Sequence, residues 1–217
     1  MSVGRIALLG AGKVGTTLGA GFVKHGHEVV LGSREPGSDK VRAWLAEMGP
    51  NACSGTYSEA LASADCIFLC IPGRVLEETV AALPAGSLDG KVVVDVSNHM
   101  AKGESGSFSL PMGLEDSAAQ RIQRARPSAR LVKAFNTTGV QSMIEPHVRC
   151  GPPTMPICGD DMQAKADVAE LLREVGWEPV DLGGIALVPV LEVLTVAWLQ
   201  YGRATGAYDH CYKFVKP

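Results

Sequence analysis

Short apolar runs alternate with longer amphipathic segments along most of the chain. The apolar runs lie at 5–10, 27–33, 65–72 and 91–98, and the segments with helical spacing lie at 13–26, 39–49 and 74–83. Short apolar runs that end in glycine, serine or proline are typical of buried parallel strands, which helices then connect. The pattern therefore predicts an α/β fold with a doubly wound, mostly parallel sheet and helices on both faces.

The second half of the chain continues this alternation less regularly. "LVKAF", "TMPICG" and "WEPVDLG" predict strands at 131–135, 154–159 and 177–183, and a helix is expected over 161–176. Ser38 is a candidate N-cap, and Thr56 with Glu59 has the spacing of a capping box. The Gly/Ser-rich stretch 102–113 predicts a mobile loop.

Gly183–Gly184 is the expected boundary between a main domain, 1–184, and a C-terminal helical segment, 185–217. The stretch 185–201 is the most apolar in the chain. It is shorter than the roughly 20 residues that a membrane span needs, and it contains Pro189, Glu192 and Gln200. We therefore expect a helix that is buried or that forms a contact between subunits of a homo-oligomer.

Composition narrows the class of protein. The 217 residues are 46% hydrophobic and 20% charged, which is typical of a folded globular chain. A net charge of −3 without a basic tract argues against nucleic-acid binding. The N-terminus has no signal-peptide pattern, so a cytoplasmic protein with reduced cysteines and no metal site is expected. The cysteines, which show no metal-ligand spacing, are Cys53, Cys66, Cys70, Cys150, Cys158 and Cys211.

A glycine fingerprint, G-x-G-x-x-G, joins the first predicted strand to the first helix. Gly10 permits a tight turn, Gly12 lets the backbone approach a pyrophosphate, and Gly15 allows the helix to pack closely on the strand. The free N–H groups at a helix N-terminus attract such an anion. This context predicts a Rossmann-type domain that binds a dinucleotide.

The end of the second strand indicates which dinucleotide. An NAD-binding chain usually places a carboxylate here for the ribose 2′-hydroxyl, whereas this chain has Gly32, Ser33 and Arg34. Arg34 and the hydroxyl of Ser33 can bind a 2′-phosphate, and Lys40 could reach it from the next helix. Glu35 could also bind the ribose, but it lies beyond the end of the strand. The pattern favours NADP over NAD, with a solvated surface arginine as the alternative.

The nicotinamide is expected where the later strands end, at "IPG" (71–73), "VSNHM" (96–100) and "FNTTG" (135–139). Ile71 and Pro72 would shape this end, and Asn98 and Asn136 could bind the carboxamide or merely satisfy turns. His99 could donate a proton or simply be exposed. No side chain is assigned a catalytic role.

Four motifs, "GAGKVG", "LGSR", "VKAFNT" and "PICGDD", together resemble the coenzyme F420-dependent NADP oxidoreductase family. "VVDVSNHM" and "LVKAFN" are also similar to the cytosolic oxidoreductase domain of the six-transmembrane metalloreductases. The resemblance implies an NADP-binding Rossmann domain with a small C-terminal helical part, usually oligomeric. It places Asn136 near the nicotinamide, the 2′-phosphate on Ser33 and Arg34, and the pyrophosphate on Ala11, Gly12, Lys13 and Val14.

Three features depart from these families. Gly73 stands where the deazaflavin enzymes carry a bulky residue, which changes the expected acceptor pocket. The spacing from Arg34 to Lys40 is longer than the family pattern. No transmembrane region accompanies this domain, so a membrane metalloreductase is not expected.

The expected function is NADPH-dependent hydride transfer to or from a deazaflavin (F420) or a flavin such as FMN or FAD, by a soluble homodimer with small-molecule partners and no membrane contact. Alternatives are reduction of a small imine or carbonyl, with His99, Tyr201 or Tyr208 as proton donor, and a non-catalytic NADPH sensor. The expected cofactor-binding residues are Gly10, Ala11, Gly12, Lys13, Val14, Gly15, Ser33, Arg34, Lys40, Ile71, Pro72, Asn98 and Asn136.

Overall fold

A computed structural model describes residues 4–104, 106–149 and 151–215. Cys150, for which a reduced state was predicted, lies outside these ranges. The strands are β1 Ile6–Leu9, β2 Val29–Gly32, β3 Ala52–Gly55, β4 Cys66–Leu69, β5 Val92–Asp95, β6 Ala101–Lys102, β7 Phe108–Ser109, β8 Arg130–Lys133, β9 Thr154–Gly159 and β10 Glu178–Asp181. The α-helices are α1 Lys13–Lys24, α2 Asp39–Met48, α3 Tyr57–Ser63, α4 Gly73–Ala81, α5 Ala118–Ala125, α6 Met162–Glu174 and α7 Val188–Thr205.

The main sheet has eight strands in the order β10-β9-β8-β5-β4-β1-β2-β3. The six strands β8, β5, β4, β1, β2 and β3 are neighbours in this order, and every pair of them is parallel. β9 runs antiparallel to β8 and parallel to β10. The predicted fold class is confirmed. Because the parallel strands point the same way, β1, β2, β4, β5 and β8 all end at one edge of the sheet. The chain reverses its order between β1 and β4, and such a switch point is where open α/β sheets bind ligands.

Hydrophobic side chains cover both faces of this sheet, as continuous apolar strands predict. In β1, Ile6 and Leu8 join the core on one face, while Ala7 and Leu9 join the core on the other. All four side chains are fully buried. The two cores hold the strand ends rigidly, so the loops that follow them have well-defined positions.

Several local predictions are confirmed. Thr56 and Glu59 form a reciprocal capping box at the start of α3. Ser38 occupies the N-cap of α2, although its side chain makes no capping hydrogen bond. The stretch 102–113 is only partly a loop, because Lys102 in β6 pairs with Phe108 in β7; Ser105 lies outside the described residues.

The sequence pattern did not predict β3 or α5. β3 is partly exposed and has the composition "ACSG", so it lacks an apolar run. α5 buries only Ala118, Ala119 and Ile122. Two small side chains and one large one give too weak an apolar stripe to predict a helix from spacing.

The C-terminal helix α7 packs on the sheet through one face. Val188 and Leu191 belong to one of the two cores, and Trp198 is also buried. With the turn that precedes it, the helix spans Ile185–Thr205, which is 21 residues. Its most apolar 18-residue window has a mean hydropathy of 1.6, and 39% of that window is buried in the protein. This is long and apolar enough to cross a membrane by length and composition alone, so the prediction that it is too short is wrong. The boundary at Gly183–Gly184 stays a prediction.

Candidate functional site

A cleft of about 1380 Å³ lies along the carboxyl-terminal edge of the sheet. Its walls are the segments that follow β1, β2, β4, β5 and β8 and the first turns of the neighbouring helices. Every residue predicted to bind the cofactor lies on these walls except Gly15 and Asn136. The structure therefore brings together positions that are up to 88 residues apart in sequence, from Gly10 to Asn98.

The three glycines of the fingerprint differ in what their surroundings require of the residue. Gly10 has φ +125°, and a Cβ there would overlap the carbonyl of Cys70. A Cβ on Gly15 would overlap the carbonyl of Gly10, so this glycine serves helix–strand packing, as predicted. Gly12 has an ordinary φ of −78° and no atom within 4 Å of its would-be Cβ. The protein's own packing therefore does not require glycine at position 12, and the space beside it is open to the cleft.

No side chain caps the N-terminus of α1, where Gly12 is the N-cap. The first N–H groups of a helix have no partner inside the helix, and they carry its positive dipole end. Lys13 and Val14 also line the cleft at this turn. The turn therefore offers a positive, donor-rich surface to an anion.

Ser33 and Arg34 line the cleft just after β2, and Lys40 lines it from the first turn of α2. Arg34 is exposed and forms no ion pair with the residues that the structure describes. The Ser33 hydroxyl accepts a hydrogen bond from the Glu35 N–H at 3.1 Å, which fixes the turn. A free guanidinium and a hydroxyl therefore stand side by side at this end.

Sequence reasoning missed three further residues at the same end, Thr56, Tyr57 and Ser58, which start α3. Burial raises the pKa of Tyr57, and the nearby Arg34 opposes this rise. A Cβ on Gly32 would lie 2.8 Å from Leu9 Cδ2 and 3.3 Å from the Tyr57 ring, so the end of β2 packs closely against both side chains. The end of a strand at Gly55 could have indicated these residues, but β3 has no apolar run and was not predicted as a strand.

The "IPG" turn brings α4 against the end of β5. Ile71 and Pro72 line the cleft, and a Cβ on Gly73 would overlap the carbonyl of Asn98. The departure from the family pattern at Gly73 thus has a packing reason: the segment after β5 passes too close for a side chain. Along α4, Arg74, Glu78 and Thr79 also line the cleft and were not predicted.

The two asparagines bind each other rather than standing side by side in the cleft. Asn98 lines the cleft, and its Nδ2 donates to the Asn136 carbonyl at 2.9 Å. Asn136 is only 1% exposed, and its Nδ2 donates to Asn98 Oδ1, the Leu191 carbonyl and Thr195 Oγ1 at 3.0–3.3 Å. Asn136 therefore does not line the cleft itself, because α7 covers it, and its predicted place near the nicotinamide stays a prediction.

A buried ionic cluster lies behind the same wall. Lys133 Nζ is 2.8 Å from Asp95 Oδ2 and 3.5 Å from Glu192 Oε1, and it donates to the Ser97 carbonyl at 2.6 Å. All three charged side chains are almost completely buried. Burial raises the pKa of Glu192; Lys133 opposes this rise and Asp95 adds to it. Sequence reasoning missed the cluster because Lys133 and Asp95 sit inside apolar runs.

The alternative proton donors do not line the cleft. His99 follows Asn98, but its Nδ1 is buried and has no partner among the described residues. Tyr201 packs against His210, and Tyr208 packs against Trp198. Among residues 4–104, 106–149 and 151–215, no group of three His, Cys, Asp or Glu could hold a metal ion.

The cysteines at the site are poor nucleophiles. Burial raises the pKa of the Cys66 and Cys70 thiols far above their usual range, and it raises that of Cys158 to about 12. Cys53, Cys66, Cys70, Cys158 and Cys211 are all free thiols in the structure. Cys70 lines the cleft, so it contributes there as a small apolar surface.

The parallel sheet, the glycine turn and the cationic end of the cleft are the features of a Rossmann-type dinucleotide-binding domain. Residues 5–99 match the family described as NADP oxidoreductase, coenzyme F420-dependent. A solved structure from Arthrobacter sp. FB24, described as a candidate F420-dependent NADP reductase, superposes with a TM-score of 0.89 at 30% identity, covering 97% of this chain and 99% of that one. The chain belongs to the coenzyme F420-dependent NADP oxidoreductase family.

Two curated relatives give the range of that similarity. The F420-dependent NADP reductase of Methanothermobacter thermautotrophicus is 29% identical over 203 residues, covering 88% of this chain and 86% of that protein. Rat metalloreductase STEAP3 is 30% identical over 196 residues, 90% of this chain but 37% of its own length. The chain thus spans only about a third of the metalloreductases that it matches. A reductive aminase from Aspergillus terreus, in complex with NADPH, shares the fold with a TM-score of 0.67 at 22% identity.

Proposed function

We propose that this protein transfers hydride directly between NADP(H) and a deazaflavin of the F420 type or a flavin. One observation carries the choice of reaction: the cleft wall after β5 and β8 contains no titratable side chain. It consists of Val96, Ser97, Asn98, Met100, Phe135, Thr138, Val140 and Met143. Such a wall is largely apolar and suits a planar ring better than a substrate that needs a proton donor.

The cofactor would lie along the cleft with its charged parts at the cationic end. Arg34 and Ser33 would hold the 2′-phosphate, with Lys40 as a further cation. The pyrophosphate would lie over Gly12 at the N-terminus of α1. The nicotinamide would then reach Ile71, Pro72 and Asn98 at the far end, in front of Asn136.

The chain's own contribution to the reaction is positioning. When bound, the nicotinamide supplies or takes up the hydride, which is the cofactor's chemistry. The cleft walls would hold the nicotinamide and the acceptor ring close together, and positioning of this kind can lower a barrier by about 7–11 kcal/mol. No side-chain acid is needed, because solvent can protonate the acceptor afterwards.

The M. thermautotrophicus reductase, named for F420 and similar over 88% of this chain, supports a deazaflavin acceptor. The likeness to the reductive aminase extends to the fold alone, and reduction of an imine or a carbonyl would call for a proton donor. His99, Tyr201 and Tyr208 do not line the cleft. The titratable Tyr57 and Glu78 line the cleft from α3 and α4, not from the wall after β5 and β8, so hydride transfer to a ring fits the geometry better.

The location and partners that we propose follow from the charge of the chain and the packing of α7. The net charge is −3, which does not favour a nucleic-acid partner. Glu192 ties α7 to the buried cluster, which favours packing on the sheet over insertion into a membrane. We accordingly propose a cytoplasmic homodimer whose other partners are small molecules.

The test is a set of absorbance assays with NADPH and one acceptor at a time: F420, FMN or FAD. Oxidation of NADPH with one acceptor, and much slower oxidation of NADH with the same acceptor, is the expected result. Mixtures without acceptor serve as controls. Silence with all three acceptors contradicts the proposed reaction, and it favours a small imine or carbonyl substrate or a non-catalytic sensor.

A further inference from the structure

One of the acceptors of the buried Lys133 is a backbone carbonyl on the cleft wall. Its side chain is fully buried and donates to the carbonyl of Ser97 at 2.6 Å, while Asp95 neutralises its charge from 2.8 Å. Asp95 also accepts from the Ser97 N–H at 2.8 Å. The pair of charges therefore holds both backbone groups of Ser97 from inside the protein.

These hydrogen bonds to Ser97 also determine the direction of the Asn98 N–H group. In a trans peptide the carbonyl of one residue and the N–H of the next point in opposite directions, and the described residues contain no cis peptide. Because the Ser97 carbonyl points to Lys133, the Asn98 N–H points away from Lys133, and Asn98 is a residue that lines the cleft. Within the described chain this N–H donates to no carbonyl or side chain.

Asn98 is also held from two other directions. Its side-chain amide exchanges hydrogen bonds with Asn136, and its own carbonyl rests against Gly73 so closely that no Cβ fits there. Because Lys133 also holds the Ser97 carbonyl, the Ser97–Asn98 peptide cannot rotate freely. A rigid donor is what an active site needs to orient a flat ring.

The charge balance explains the role of Glu192. The buried cluster contains one ammonium and two carboxyl groups, and the nearer carboxylate, that of Asp95, pairs with Lys133. A second buried negative charge is unfavourable beside Asp95, and burial raises the pKa of Glu192 against the opposing effects of Lys133 and His99. Glu192 thereby joins α7 to the cluster without disturbing the Lys133–Asp95 pair.

We propose that Lys133 is a positioning residue that aims the Asn98 N–H at the carboxamide of the nicotinamide. This inference rests on the proposed binding of NADP(H). It assigns a recognition role to a buried lysine that does not touch the cofactor. The carboxamide oxygen is the acceptor, and the lysine acts on it only through the Ser97–Asn98 peptide.

The test compares two ligands by calorimetry: NADP⁺, and adenosine 2′,5′-bisphosphate, which lacks the nicotinamide. Lys133→Met keeps the length of the side chain and removes the donor. We expect it to weaken NADP⁺ by roughly tenfold, the value of one hydrogen bond, and to leave the bisphosphate unchanged. Lys165→Met, at a lysine buried on α6 that bonds Asp181 away from the cleft, should leave both affinities unchanged.

The outcomes separate this inference from the proposed function. Equal losses for both ligands, or no loss for either, would overturn the positioning role. If Lys133→Met does not fold, the double variant Lys133→Met/Asp95→Asn removes the unpaired charge and should show the same selective loss. A wild-type protein that binds neither ligand contradicts both proposals, whereas one that binds both but oxidises NADPH with no acceptor contradicts only the hydride transfer.

Discussion

Asn136 lies directly behind Asn98 and holds it by two hydrogen bonds, so one asparagine faces the cleft and the other supports it. The support continues into α7, because Asn136 also bonds the Leu191 carbonyl and Thr195. The position of the nicotinamide end of the cleft thus depends on a helix from the C-terminal part of the chain.

This arrangement makes different predictions for Asn136 and His99. Asn136→Ala should slow the single-turnover hydride transfer strongly, because Asn98 loses its side-chain partner and the tie to α7 is removed, with thermal unfolding as the check on folding. His99→Gln should reduce the rate by less than about tenfold, whereas a lost general acid typically reduces it 10²–10⁴-fold. If His99→Gln abolishes transfer, and the wild-type rate follows one ionisation near the usual histidine pKa of about 6.5, an acid-dependent reduction replaces direct transfer.

Gly12 and Gly15 should respond to alanine in opposite ways. Gly12→Ala puts a methyl group into open cleft space, so stability should change by no more than about 1 kcal/mol while NADPH affinity falls strongly. Gly15→Ala drives a Cβ into the Gly10 carbonyl and should lower the free energy of unfolding by about 1–3 kcal/mol. Denaturant unfolding and NADPH titration of both variants measure this. Unchanged NADPH affinity in Gly12→Ala would contradict a pyrophosphate at this turn.

Arg34 should carry the preference for NADPH over NADH. Arg34→Ala removes a charge-assisted hydrogen bond of about 1.5–3 kcal/mol, so NADPH affinity should fall roughly ten- to a hundredfold and NADH affinity should hardly change. Arg42→Ala is the matched control, since Arg42 pairs with Asp39 and does not line the cleft. Equal losses for the two cofactors in Arg34→Ala would refute the assignment.

The open face of α7 should form the contact of a homo-oligomer. Val190 and Val193 are 45% and 40% exposed although the opposite face of the helix is packed on the sheet. Light scattering at micromolar concentration should give a dimer or larger assembly, and Val190→Glu/Val193→Glu should give a monomer. Leu114→Glu, at an exposed leucine outside the helix, should leave the assembly intact. A wild-type monomer would count decisively against this interface.

Glu192 should make the stability depend on pH. Its pKa in the folded protein is raised above the ordinary value of 4.5, mainly by burial. Between these two values the folded chain keeps a proton that the unfolded chain has released, so the free energy of unfolding decreases as the pH rises through that window. Glu192→Gln should flatten this decrease, and the exposed Glu170→Gln should not. Parallel pH profiles for wild type and Glu192→Gln would show that Glu192 is ionised in the fold.

The sequence by itself determined the parts of this protein that depend on local spacing. Alternating apolar runs predict the parallel sheet, because strands buried on both faces must be apolar throughout. The glycine triplet predicts the turn before α1, because the conformation of Gly10 and the contact of Gly15 are requirements of a few neighbouring residues. The motif "LGSR" likewise predicts Arg34 at a strand end, since the chain leaves a parallel strand at the ligand-binding edge.

Only the tertiary structure decided how the far end of the cleft is built. Lys133 meets Asp95 across 38 residues and Glu192 across 59, and no local pattern encodes such distances. A charged side chain inside an apolar run is tolerated only when partners arrive from other elements, and those partners come from β5 and from α7. The same helix covers Asn136. The identity of the residues that line this end of the cleft was therefore set by how α7 returns over β8, which depends on the packing of the whole chain.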